Sequence, residues 1–90
     1  MKFEWDAIKA IANLSKHNVS FEEAKTVFDD PLYVDFYDPD HSYDEYRFIL
    51  LGESIQGRLL FVSYMERNET IRLISARETT PSERKTYEQD

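Results

Sequence analysis

Residues 58–78 read RLLFVSYMERNETIRLISARE, and the parsing of this stretch decides the fold. Arg58–Glu66 and Thr70–Glu78 each read as a strand, and Arg67-Asn68-Glu69 between them reads as a turn. The two runs therefore form an antiparallel hairpin. The same stretch carries Arg58, Arg67, Arg72 and Arg77 in a chain whose net charge is -7. An acidic protein that gathers arginines on its strands invites a chemical explanation.

Working toward the N-terminus, Gly52–Gly57 is a hairpin loop and Tyr43–Leu51 a further strand, so the last three strands form a meander. Asp38-Pro39-Asp40-His41-Ser42 is a loop. Before it, Leu32, Val34 and Phe36 alternate with Tyr33, Asp35 and Tyr37, the period of a strand. Upstream the period changes. Ser20 and Glu23 fit a reciprocal capping box, and Phe21, Ala24, Val27 and Phe28 form the apolar face of a helix that ends at Asp29-Asp30-Pro31. Asp6 caps an earlier helix over residues 7–16, with Ala7, Ala10, Ile11 and Leu14 as its apolar face and Asn18 as its stop. Phe3-Glu4-Trp5 reads as a short first strand. At the other end, Thr80 and Glu83 make a second capping box with Pro81 at the first helical position. That last helix has little apolar surface, and Tyr87 is the residue to dock it. The expectation is one α+β domain over residues 1–90: a curved antiparallel sheet packed by two N-terminal helices, with a short C-terminal helix.

Composition narrows the chemistry. The 90 residues are 41% apolar and contain no cysteine, so disulfides, thiolate metal sites and thiol nucleophiles are excluded. No apolar run approaches the length of a membrane span, and MKFEWDAIK lacks a signal-peptide pattern. A cytoplasmic protein without membrane association is expected. The charge is uneven. Residues 1–46 hold 11 acids and 4 lysines, residues 47–77 hold 3 acids and 5 arginines, and residues 78–90 hold 4 acids and 2 bases. The whole positive excess is arginine, and it lies in the middle of the chain.

Guanidinium groups bind phosphate bidentately and stay charged at any working pH. Convergent arginines would stabilise the negative charge that develops when a phosphodiester is cleaved by its own 2′-hydroxyl. Ideal alternation, however, puts Arg72 and Arg77 on opposite faces, and likewise Tyr64 and Arg67; only a bulge or turn re-aims them. The alternative is that the arginines pair with nearby carboxylates. His17 lies at the end of the first helix, where a cation also suits the helix dipole. His41 sits among acidic residues, but the glycine and spacing of a calcium loop are missing. A phosphate-cradling Gly-rich loop and a nucleophile elbow are both absent.

Several runs resemble one family. FEWD at 3–6, NLSKHNVSFEEA at 13–24, Glu45 with Arg47, GRLL at 57–60 with Val62, Tyr64 and Arg67, and IRLISAR at 71–77 with Glu83, Arg84 and Tyr87 are similar to BrnT-type toxins. The resemblance covers nearly the whole chain in order. It implies a RelE-like fold and a toxin of a type II toxin–antitoxin module that cleaves RNA without a metal or cofactor and inhibits translation. It implies as partners a BrnA-like ribbon-helix-helix antitoxin, RNA and the ribosome, with operator DNA reached only through the antitoxin during autoregulation. Carried over residue by residue, Arg67, Arg72 and Arg77 take the phosphate-stabilising role, and Arg47 and Lys16 bind substrate. His17 and Tyr64 are the proton-transfer candidates. The competing expectation is a non-catalytic protein of the same fold that binds antitoxin. In that case Arg67, Arg72 and Arg77 would sit in salt bridges with Glu45, Glu66, Glu69 or Glu78 instead of converging on a groove.

Overall fold

The hairpin of residues 58–78 forms as two long strands joined by a two-residue turn. Asn68 and Glu69 both have positive φ, 53° and 64°, the backbone that a two-residue hairpin turn needs to match the twist of its strands. Asn tolerates this conformation and Glu does so less readily. The computed structural model describes residues 1–43 and 45–89. Its elements are β1 (Lys2–Glu4), α1 (Ala7–His17), α2 (Phe21–Thr26), β2 (Val34–Tyr37), β3 (Arg47–Glu53), β4 (Leu59–Arg67), β5 (Thr70–Glu78) and α3 (Pro81–Glu88). One-turn 3-10 segments at Val27–Asp29 and Pro39–His41 flank β2.

The five strands make one sheet in the order β1-β5-β4-β3-β2. β2 to β5 form a continuous antiparallel meander. β1 departs from the expected antiparallel sheet: it pairs parallel to β5, Phe3 opposite Ile71. The strand runs directly into α1, and that helix together with the meander carries the chain back to β5 in the same direction.

α1 and α2 cover one face. Val19, Phe21, Ala24 and Val27 are fully buried against Leu50, Leu60, Val62, Leu73 and Ala76, each large side chain contributing about 1.5–3 kcal/mol. Gly52 allows the close approach of the segment after α2. A Cβ at that position would lie 2.7 Å from Val27 Cγ1.

Two helical details differ from expectation. The predicted apolar face of α1 is largely outside: Ile11 and Leu14 are exposed, as is Ile8, and the inward side carries Ala10, Asn13 and His17. Asn13 explains this. Its Nδ2 donates to the Val19 and Ala76 carbonyls at 2.9 and 2.8 Å, and its Oδ1 accepts from Ala76 N at 3.0 Å. The amide thus takes the place of a neighbouring strand where β1 no longer covers β5. The first capping box is half formed. Ser20 Oγ accepts from Glu23 N at 3.0 Å, but the buried Glu23 carboxylate takes Arg58 and Ser54 instead of the cap. Arg58 Nε donates to Oε2 at 2.9 Å, Arg58 Nη2 donates to Oε1, and Ser54 Oγ donates to Oε2 at 2.7 Å.

Candidate active site: the arginine face

The register of β5 against β4 decides where the arginines go. Ser63 opposes Ser75, but Tyr64 opposes Leu73, so Ile74 is an extra residue without an opposite number. This bulge reverses the alternation midway along β5. Phe61, Ser63, Met65 and Arg67 share one face of β4, and their partners Arg77, Ser75, Arg72 and Thr70 share that face on β5. Arg47, opposite Met65 on β3, joins them. Arg47, Arg67, Arg72 and Arg77 therefore all stand on the sheet face opposite α1 and α2. Arg72 and Arg77 are about 13 Å apart along the strand, and Arg47 and Arg72 about 10 Å apart across it. The fifth arginine of the segment, Arg58, points to the helical side and holds Glu23.

Three of the four have carboxylate partners. Arg72 Nη1 donates to Glu4 Oε2 at 2.8 Å, across the β1–β5 pair that sets the two residues opposite each other. Arg47 Nε donates to Glu45 at 3.2 Å. Arg77 binds both oxygens of Glu83 at 2.8 and 2.9 Å and lies over the Phe61 ring, 4.0 Å from its centroid. Among the described residues, none of the carboxylates expected to pair with Arg67, Arg72 or Arg77 does so, and Glu45 takes Arg47 instead; Glu4 and Glu83 are the partners that the sequence does not reveal. Arg67, exposed at the end of β4, has no carboxylate partner among the described residues.

Glu83 also accepts from Thr80 N at 2.9 Å, closing the second capping box. The Arg77 hydrogen bonds hold its carboxyl below the ordinary value, outweighing partial burial. α3 has no buried residue. Its attachment is this clasp at one end and Tyr87 at the other, whose hydroxyl donates to Asp30 at 2.6 Å. That bond is the main cause raising the Tyr87 phenol to about 12.

Lys16 and His17 lie elsewhere. Arg58 bridges the Asn18 carbonyl (2.9 Å) and Glu78 (3.5 Å), so the end of α1 that carries Lys16 and His17 sits at the Glu78 end of β5. Lys16 is exposed and His17 half-buried. Tyr64 is buried on the helical side of the sheet, stacked on Phe48 and edge-on to Phe28. Its hydroxyl donates to Asp35 at 3.3 Å. Burial, with the Asp35 charge behind it, pushes the phenol well above its ordinary value. The structure thus sets four arginines on one sheet face, spaced along and across the strands, and leaves Tyr64 on the other face. His41 pairs with Asp38 at 2.9 Å, and among the described residues no three His, Asp or Glu side chains cluster as a metal site would require. No helix of the described residues is long and apolar enough to cross a membrane.

Comparison with known proteins agrees with this architecture. The crystal structure of the Brucella abortus ribonuclease toxin BrnT is similar at a TM-score of 0.65, with 22% identity, over 89% of this chain and 97% of that one. No curated protein matches the sequence. The profile of the family described as "Ribonuclease toxin, BrnT, of type II toxin-antitoxin system" matches residues 5–83. The chain belongs to the BrnT family of type II toxin–antitoxin ribonuclease toxins.

Proposed function

We propose that this chain cleaves RNA on its arginine face without a metal, inhibits translation by doing so, and is neutralised by a cognate antitoxin. The observation that carries this reading is the bulge at Ile74, which puts Arg77 on the sheet face that already holds Arg47, Arg67 and Arg72. Phosphate oxygens would replace the carboxylates now held by Arg72 and Arg77. The 2′-hydroxyl passes its proton to water and attacks phosphorus, a 2′,3′-cyclic phosphate forms as the bond to the 5′-oxygen breaks, the 5′-oxygen takes up a proton from water, and the arginines stabilise the charge added at phosphorus. Arg47 holds a flanking phosphate, whereas Lys16 and His17, carried by α1, and Tyr64, packed on the helical side, lie across the sheet from this face and take no step in the cleavage.

The antitoxin in this reading is a BrnA-like ribbon-helix-helix protein. Its neutralising segment covers the arginine face, and the toxin meets operator DNA only through it. Induction in cells is the test. Growth arrest with loss of intact RNA, both relieved by Arg67→Ala/Arg72→Ala, supports the reading; arrest with intact RNA overturns it. A second reading, a weakened or non-catalytic member that binds antitoxin, is favoured by one observation: three of the four arginines already hold carboxylates.

A further inference from the structure

β2 ends the sheet, and among the described residues nothing pairs with its outer edge. Asp38 N–H donates to the Arg47 carbonyl at 2.8 Å. In an antiparallel ladder this turns the backbone groups of Val34 and Phe36 toward β3 and those of Asp35 and Tyr37 outward. Aromatic side chains flank this open edge: Tyr33, Phe36 and Tyr37 are 44%, 42% and 44% exposed, and Tyr46 is 72% exposed. The surrounding segment is strongly acidic, since residues 29–45 contain seven carboxylates and no lysine or arginine.

These features discriminate between occupants. A second copy of the chain would set one acidic edge against another, and like charges placed opposite each other are destabilising. Nucleic acid would be repelled by the same carboxylates. An extended segment rich in lysine and arginine meets every feature. Its backbone pairs with Asp35 and Tyr37, its cations face the carboxylates, and its guanidinium groups lie on the tyrosine rings.

We infer that the β2 edge receives a Lys/Arg-rich extended segment of the antitoxin as an added strand. The inference rests on the antitoxin reading above, and a protein that binds operator DNA has cationic segments to offer. The partner then uses two segments of opposite charge. An acidic one blocks the arginines, and a basic one anchors on β2.

Amide hydrogen exchange on the full chain, free and bound to the antitoxin encoded beside it, tests this. The Asp35 and Tyr37 amides are expected to exchange at least about tenfold more slowly in the complex. Asp35→Lys/Asp40→Lys is expected to weaken the complex about tenfold or more and to flatten its salt dependence. Tyr37→Pro, which removes an outward N–H from an edge strand that tolerates proline, should weaken the complex while the free protein keeps its amide spectrum. A complex in which both amides exchange as in the free chain, or that both variants form as tightly as the parent, overturns the edge assignment and leaves the antitoxin reading standing. Failure of that antitoxin to bind the parent chain overturns both.

Discussion

Glu83 grips the Arg77 guanidinium with both carboxylate oxygens, Nη1 to Oε1 at 2.8 Å and Nη2 to Oε2 at 2.9 Å, the two-point geometry that a phosphate would use. α3 contributes no buried residue, so this clasp and Tyr87–Asp30 hold it on the sheet. On the proposed reading, a substrate phosphate and Glu83 compete for Arg77. Glu83→Gln keeps an acceptor for the Thr80 cap but removes the charge. Both residues are half-buried, and an ion pair near the surface is worth about 0.2–1 kcal/mol, so RNA should bind the variant at least about 1.5- to 5-fold more tightly at low salt. Filter binding of a short RNA by parent and variant checks this.

The Glu23–Arg58 pair is structural. Glu23 is 4% exposed, and removing its partner leaves a buried charge with only Ser54. Arg58→Met should destabilise the protein by about 3–5 kcal/mol, whereas Glu23→Met/Arg58→Met should recover most of the loss. Urea denaturation of the single and double variants measures both.

The same carboxylate sets an acid limit. Arg58 holds Glu23 below its ordinary value, with Ser54 assisting against burial, and Arg77 does the same for Glu83. A carboxyl whose folded pKa is depressed contributes stability that is fully present above its unfolded pKa and is lost as pH falls through the folded one. Melting temperature should be level near neutrality and decline below about pH 5. Glu23→Gln should start lower and decline less steeply, as thermal scans across that range would reveal.

Asn13 holds three backbone groups with one amide. Asn13→Ala leaves the N–H and C=O of Ala76 and the Val19 carbonyl without this partner, at about 1–3 kcal/mol for each group that water does not reach. A melting point lower by roughly 10 °C or more follows for a domain of this size. Calorimetry of the variant decides it, and amide exchange at Ala76 should accelerate.

Much of the fold was legible in residues 58–78, because alternation and a turn at Asn68-Glu69 are local signals. The misread parts were those where distant residues decide. Periodicity counted Ile11 and Leu14 as the buried side of α1, yet a polar Asn13 faces inward because an open stretch of β5 needs its amide. Ser20-x-x-Glu23 carried the cap signature, but Arg58, remote in sequence, takes the carboxylate. The parallel pairing of β1 leaves no trace in three residues. For the site, parity argued against an arginine cluster, and the bulge at Ile74 that restores it has no glycine or other mark in the sequence. The partners Glu4 and Glu83 were equally hidden, since one is brought by β1 and the other by α3.

RNA cleavage by the purified chain at low salt in EDTA, with Arg77→Ala and Arg72→Ala alongside, tests the central claim most directly. The arginine face predicts metal-independent cleavage by the parent, reduced about 10²–10³-fold by loss of one such group. Arg72→Ala removes an exposed pair worth about 1 kcal/mol or less, and Arg77→Ala removes a half-buried clasp on α3, so circular dichroism of both variants accompanies the assay. Cleavage undiminished in both variants would contradict a catalytic role for this face.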